Sequence, residues 1–87
     1  MQVLIPSPLR SYTANKNQVE IKAASTLFDA LSNLEEAHPG IRFRMIDEQD
    51  GIRQHIKIYV DKTLAADLSH ELTGQERIQI VCALSGG

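Results

Sequence analysis

One amphipathic helix, with strand patterns on both sides of it, limits what this chain can fold into. Leu27, Leu31 and Leu34 recur at the spacing of one face of an α-helix. Ser25 is the predicted N-cap of this helix, and Pro39-Gly40 is predicted to end it. A lone helix buries such a stripe of leucines most simply against a sheet, so the sequence predicts an α+β fold.

Short alternating or apolar segments predict a mixed sheet of four to five strands around this helix. They cover residues 3–5, 18–22, 56–60, 64–66 and 78–83. Residues 11–17 are predicted to form a turn that joins the first two strands in a hairpin. Residues 41–54 are predicted to be a loop with room for one short helical turn, in which Asp50-Gly51 forms a tight turn. The first and last strands can lie side by side because the helix provides a long crossover, and this arrangement is the β-grasp.

The size and charge of the chain exclude several classes of protein. Its 87 residues make one small domain, with residues 1–83 predicted as the folded part and residues 84–87 as a flexible tail. A net charge of -2 argues against nucleic-acid binding by bulk electrostatics. No apolar run approaches the ~18 residues that span a bilayer, and the N-terminus does not look like a signal peptide. With a single cysteine, we therefore expect a cytoplasmic protein with no membrane or nucleic-acid partner.

No group of residues in the sequence predicts catalysis by the chain itself. Three histidines are widely separated and have no paired cysteines, so no metal site is expected at His38, His55 and His70. The serines show no triad pattern, and no Gly-rich phosphate loop is present. Strand alternation points Cys82 inward, which predicts a small buried side chain rather than a nucleophile. Three arginines are expected to form a solvated face or, alternatively, to supply docking charges: Arg42, Arg44 and Arg53.

An apolar patch for binding partner proteins is predicted on the face of the sheet away from the helix. If Val3 and Ile5 point inward, then Leu4 points outward. The same alternation in the later strands turns Tyr59 and Val81 to the outer face. Because these strands are neighbours in a β-grasp, the three side chains are expected to form one exposed patch near the C-terminus, which is typical of a protein interface.

The last residues, Leu84-Ser85-Gly86-Gly87, complete a resemblance that covers nearly the whole chain. The helix is followed by His38-Pro39-Gly40-Ile41, by the loop 47–53 and by the strand Ile56-Lys57-Ile58-Tyr59-Val60-Asp61. With these segments and the terminal Gly-Gly, the chain resembles the ubiquitin-like sulfur carriers. That family includes the small subunit of molybdopterin synthase, the thiazole-pathway sulfur carrier and the carrier that feeds cysteine synthase.

The resemblance implies that the chain is a substrate rather than an enzyme. Gly87 would be adenylated by a ubiquitin-activating-type enzyme that uses ATP, and then converted to a thiocarboxylate that donates sulfur. The implied acceptor is an enzyme such as the molybdopterin synthase large subunit or a cysteine synthase, and a metalloprotease or desulfurase is a further implied partner. Gly86, Ser85 and Leu84 would form the tail, and no cofactor is expected on the chain itself.

The chemistry of a C-terminal glycine fits these roles. A free α-carboxylate, with a pKa of about 3.5, is anionic at neutral pH and a poor electrophile, so it must be activated before sulfur is added. Two successive glycines have no Cβ, which lets the walls of an enzyme close around the tail. Two alternatives remain open: a protein modifier joined to lysines through Gly87, as ubiquitin is, and a subunit that completes an enzyme's active site without being consumed.

Overall fold

The computed structural model describes residues 1–83, which form a five-stranded sheet with one main helix packed across one face. The strands are β1 (Gln2–Leu4), β2 (Gln18–Glu20), β3 (Ile56–Val60), β4 (Thr63–Leu64) and β5 (Ile78–Cys82). Their order is β2-β1-β5-β3-β4, in which β1 and β5 are parallel and the other neighbours antiparallel. The predicted mixed sheet and its central pairing of first and last strands are therefore confirmed, and the fold is the β-grasp.

Helix α1 (Leu27–Ala37) buries the leucine stripe against the inward face of the sheet. Its buried residues are Leu27, Ala30, Leu31 and Leu34. They share one core with the strand residues that alternate inward, among which Ile58 and Ile78 are completely buried. The helical and the alternating periodicities thus meet in a single core, as the sequence predicts.

Helix α1 begins one residue later than the sequence predicts. Thr26, not Ser25, is the N-cap, and its Oγ1 accepts a 3.2 Å hydrogen bond from the backbone N–H of Asp29. The carbonyl oxygen of Ser25 instead accepts the N–H of Leu72 in the loop that precedes β5. Serine and threonine can both cap a helix, so this loop contact decides between them, and the prediction of Ser25 is wrong.

The segment between β1 and β2 is a 3-10 helix, Ser7–Thr13, rather than the turn predicted at residues 11–17. Pro8 suits the first turn of such a helix because its φ is already fixed near the required value. Leu9 anchors the segment in the core, where it is buried. The turn that follows is shorter than predicted and starts at Ala14, which has a left-handed φ of 53°.

The edge strands differ by one or two residues from the predicted ones. β2 ends at Glu20 instead of residue 22, although Ile21 remains buried and donates its N–H to the carbonyl oxygen of Met1 at 2.9 Å. β4 is only two residues long and covers Thr63–Leu64, so it begins one residue before the predicted strand 64–66 and ends two residues before that strand's end. Shifts of this size are usual at strand ends, where pairing weakens.

A second helix, α2 (Ile41–Met45), occupies the first part of the predicted loop 41–54. Glu35 of α1 caps its N-terminus with both carboxylate oxygens. Oε2 accepts the N–H of Gly40 at 2.8 Å, and Oε1 accepts the N–H of Arg42 at 2.9 Å. These bonds satisfy N–H groups that have no partner within a helix, so α1 fixes the position of α2.

The tight turn predicted at Asp50-Gly51 is present after α2, and Asp50 has a left-handed φ of 63°. The side chain of Asp47 holds this turn, because its Oδ1 accepts the N–H groups of Gly51 and Gln49, each at 2.9 Å. These two bonds lower the pKa of Asp47, and the nearby charge of Arg53 lowers it further.

Candidate functional site

The last described residue, Ala83, is held on strand β3. Its N–H donates a 2.7 Å hydrogen bond to the carbonyl oxygen of His55, which extends the β3–β5 ladder by one residue beyond Cys82. We call this hydrogen-bonded residue the tail root, because it precedes the predicted tail. The predicted reactive residue and its tail lie outside the described residues: Gly87, Gly86, Ser85 and Leu84.

The predicted partner-binding residues Leu4, Tyr59 and Val81 lie together on the outer face of the sheet. Leu4 and Tyr59 pair with Gln79 of the central strand from opposite sides, and Val81 lies two residues further along that strand. All three apolar side chains are half-buried rather than exposed. The exposed polar residue Gln79 separates Leu4 from Tyr59. The sequence alone could not predict this separation, because it depends on the register between the strands.

Leu64 extends this apolar surface, although it was not among the predicted partner-binding residues. It pairs with Tyr59 at the edge of the sheet, and 49% of its surface is exposed. Directly paired residues of neighbouring strands share a face, so Leu64 lies beside Tyr59. We call Leu4, Tyr59, Leu64 and Val81 the sheet-face patch.

Three arginines lie close to aromatic rings around α2. The pairs, with the distance from Cζ to the ring centroid, are Arg42–Phe28 at 5.2 Å, Arg44–Tyr12 at 5.9 Å and Arg53–Phe43 at 4.6 Å. Such contacts hold a guanidinium in place without neutralising its charge. Phe43 is 62% exposed. It was not a candidate from the sequence, because its contact with Arg53 joins residues ten positions apart and is visible only in the structure.

Cys82 is half-buried at the end of β5 and packs against the core. Burial raises the pKa of its thiol, which reduces the thiolate fraction at neutral pH. The side chain faces inward as predicted, but its burial is incomplete because the strand ends at this residue. These features describe a packing residue rather than an activated nucleophile.

Residues 1–83 contain no arrangement typical of a metal or buried ligand site. Within them, no three His, Cys, Asp or Glu side chains come together in a way that could hold a metal ion. Every buried side-chain nitrogen or oxygen in this part of the chain has a hydrogen-bond partner, so its interior leaves no polar group open to a ligand. No helix in the same part of the chain is long and apolar enough to cross a membrane.

The fold and the position of the tail root define a class, the ubiquitin-like β-grasp proteins, and solved structures share this fold over nearly their whole length. A chain of the Amycolatopsis orientalis BexX/CysO complex is 28% identical with a TM-score of 0.89, over 99% of this chain and 98% of that chain. CysO of Mycobacterium tuberculosis, described as an antigen, is 25% identical with a TM-score of 0.86, over 95% and 98%. SAMP1 of Haloferax volcanii, at 24% identity, a TM-score of 0.78 and coverage of 100% and 98%, shows the fold alone.

The sequence places the chain in one family within this class. Residues 3–87 match the ThiS family, and the chain belongs to it. This match confirms the resemblance to the ubiquitin-like sulfur carriers, and it includes the tail residues 84–87. A search of curated proteins found no match.

Proposed function

We propose that the chain carries sulfur as a thiocarboxylate on Gly87. The α-carboxylate of Gly87 attacks the α-phosphate of ATP on an activating enzyme, which forms an acyl-adenylate and releases pyrophosphate. Sulfide then attacks the acyl carbon, and AMP leaves with the oxygen that had joined it to the carbonyl. Membership of the ThiS family over residues 3–87 is the observation that carries this proposal.

In this reaction the chain is the substrate, and the enzymes that bind it supply the catalysis. The adenylating enzyme binds ATP, and a second enzyme of the molybdopterin synthase or cysteine synthase type accepts the sulfur. The solved BexX/CysO complex supports a carrier that works while bound to a partner. A tail that starts from a fixed Ala83 and ends in Gly86-Gly87 suits a narrow entrance to an active site.

The sheet-face patch binds the adenylating enzyme and the sulfur acceptor in this proposal. Val81 is the member of the patch nearest the tail root in sequence, so an enzyme that receives the tail would cover it. Val81→Asp is expected to lower the affinity for the adenylating enzyme about tenfold or more, because its carboxylate would be buried without a partner. Gln75→Asp adds the same charge in the exposed loop before β5 and is the control. If Val81→Asp bound the adenylating enzyme as tightly as the wild type, the sheet-face patch would not be part of the interface.

Intact-mass spectrometry tests the proposed reaction itself. The full chain is incubated with the adenylating enzyme of the same organism, ATP and sulfide, and the expected mass gain is that of one oxygen replaced by sulfur. A chain that lacks Gly86-Gly87 is the control and gains no mass. A wild-type chain that stays unmodified would contradict the proposal, and adducts with lysines of other proteins would favour the protein-modifier alternative.

A further inference from the structure

Two arginines near the tail root form no ion pair within residues 1–83. Arg44 donates from Nε to the hydroxyl oxygen of Tyr12 at 2.6 Å, and Arg53 donates from Nε to the carbonyl oxygen of Phe43 at 2.8 Å. Both acceptors are neutral, and neither arginine forms an ion pair with a carboxylate of the described chain. Arg42 differs, because it pairs with Asp50 at 3.2 Å.

These contacts prepare both guanidinium groups for a ligand. Each is held by a hydrogen bond from its Nε atom and lies close to an aromatic ring, while its two terminal amino groups donate no hydrogen bond within the described residues. A planar guanidinium with free terminal amino groups matches a carboxylate, which can accept two parallel hydrogen bonds. Because the rings already restrict the side chains, little conformational entropy is lost when a carboxylate binds.

The two arginines belong to one surface that adjoins the tail root. Phe43, Arg44, Arg53 and His55 line a single cavity, and we call these four residues the basic surface. A second cavity has Arg44, His55 and Cys82 in its wall, so the two cavities share residues. The carbonyl oxygen of His55 is also the acceptor that holds Ala83. A partner seated on the basic surface therefore lies beside the point from which the tail leaves.

We propose that the basic surface docks a carboxylate-rich segment of the adenylating enzyme, an inference that rests on the proposed function. Charge complementarity identifies the partner, because two arginines that form no ion pair within residues 1–83 lie beside the exposed ring of Phe43 and favour an acidic segment with an apolar residue. A nucleic acid fits less well. A longer run of phosphates would extend from the two arginines over the adjacent loop, whose Asp47, Glu48 and Asp50 repel it, whereas a short acidic segment can contact the arginines alone.

Steady-state kinetics of adenylation test this docking. The double variant Arg44→Gln/Arg53→Gln is expected to raise the KM for the carrier about tenfold at about 50 mM NaCl, with kcat unchanged, because the charges guide docking and do not touch the reacting atoms. At about 500 mM NaCl the difference from the wild type is expected to shrink. Arg77→Gln removes one charge from an exposed arginine at the far end of β5 and is the control, with a KM within about twofold of the wild type.

Each outcome bears on the basic surface separately from the proposed function. An unchanged KM in the double variant overturns the docking proposal, and so does a rise in KM that is equal at both salt concentrations. Binding of a single-stranded RNA by the wild type that is lost in the double variant, with KM unchanged, would assign the surface to nucleic acid instead. Failure of the wild type to form any adenylate would refute the proposed function. The difference in calorimetric affinity between the wild type and the double variant for the same enzyme without ATP tests the basic surface separately, and equal affinities would overturn the docking proposal.

Discussion

The backbone nitrogen of Ala83 lies 2.7 Å from the carbonyl oxygen of His55, and this hydrogen bond aligns the start of the tail with strand β3. Ala83→Pro removes the N–H and is expected to lower the free energy of unfolding by about 1 kcal/mol. Chemical denaturation measures the change. Ala83→Ser keeps the N–H and is the control, so equal stability of the proline and serine variants would show that the bond contributes nothing.

The N-cap of α1 can be identified by a pair of alanine substitutions. Thr26→Ala is expected to cost about 1 kcal/mol of stability, because the N–H of Asp29 loses its acceptor. Ser25→Ala is expected to change stability by less than about 0.5 kcal/mol, since the Ser25 side chain forms no hydrogen bond within residues 1–83 and its backbone carbonyl is unaffected by the substitution. Thermal or urea unfolding measures the stability of both variants. A larger loss of stability in Ser25→Ala than in Thr26→Ala would show that Ser25 is the N-cap, as the sequence predicts.

Glu35 is expected to stabilise the attachment of α2 to α1. Glu35→Ala removes the acceptor of two backbone N–H groups, those of Gly40 and Arg42, and should lower the free energy of unfolding by about 1–2 kcal/mol. Glu36→Ala removes the same charge from an exposed neighbouring position and serves as the control. Equal unfolding midpoints for the two variants in urea would refute the capping role.

Asp47 is expected to make the fold less stable in acid. Hydrogen bonds from Gly51 and then Gln49 lower its pKa below the ordinary value of 3.8. Near pH 3.8 the unfolded chain therefore binds more protons than the folded one, so this contribution is fully present above that pH and is lost as the pH falls through the lowered pKa. Asp47→Asn should flatten the acid side of a plot of unfolding free energy against pH.

The control for Asp47 is Glu48→Gln, which removes an exposed neighbouring carboxylate that accepts no hydrogen bond within the described residues. An Asp47→Asn variant with the same acid slope as the wild type would mean that the two backbone hydrogen bonds do not depend on ionisation.

Thiocarboxylate formation is expected to survive Cys82→Ser. The sulfur is added at Gly87 in the proposed reaction, and burial raises the pKa of the Cys82 thiol, which makes it a poor nucleophile at neutral pH. Intact mass after incubation with the activating enzyme, ATP and sulfide measures the product. Complete loss of the product in the serine variant, with the fold intact by circular dichroism, would give Cys82 a chemical role.

The core could be predicted because it depends on periodicity, and the central pairing of the first and last strands could be predicted from the long crossover that the helix provides. Inward residues such as Ile58 alternate regularly, and the leucines of α1 repeat at helical spacing. The same alternation placed Leu4, Tyr59 and Val81 on one face. It could not show that Gln79 separates Leu4 from Tyr59, because that depends on the register between strands.

Other features depend on contacts between segments that are distant in the sequence. The partner of Arg44 is Tyr12, thirty-two residues away, so a local pattern of arginines cannot reveal that it is held by a ring and a hydroxyl. The 3-10 helix Ser7–Thr13 looks polar in sequence, and its regular structure depends on Leu9 reaching the core. The tail, residues 84–87, was predicted from the family resemblance and from the chemistry of a C-terminal glycine. Neither of these depends on how the core packs.

The parallel pairing of β1 with β5 joins Val3 to Ile78, across almost the whole chain. During synthesis, β1 must wait for the last strand before it acquires this neighbour, and closing so long a loop is slow. Residues 84–87 follow that strand and Ala83 directly in the sequence, so they are synthesised immediately after the strand that completes the domain. A chain cut short before Ile78 lacks the central strand and is expected not to fold, and under the proposed function it also lacks Gly87 and would not be adenylated.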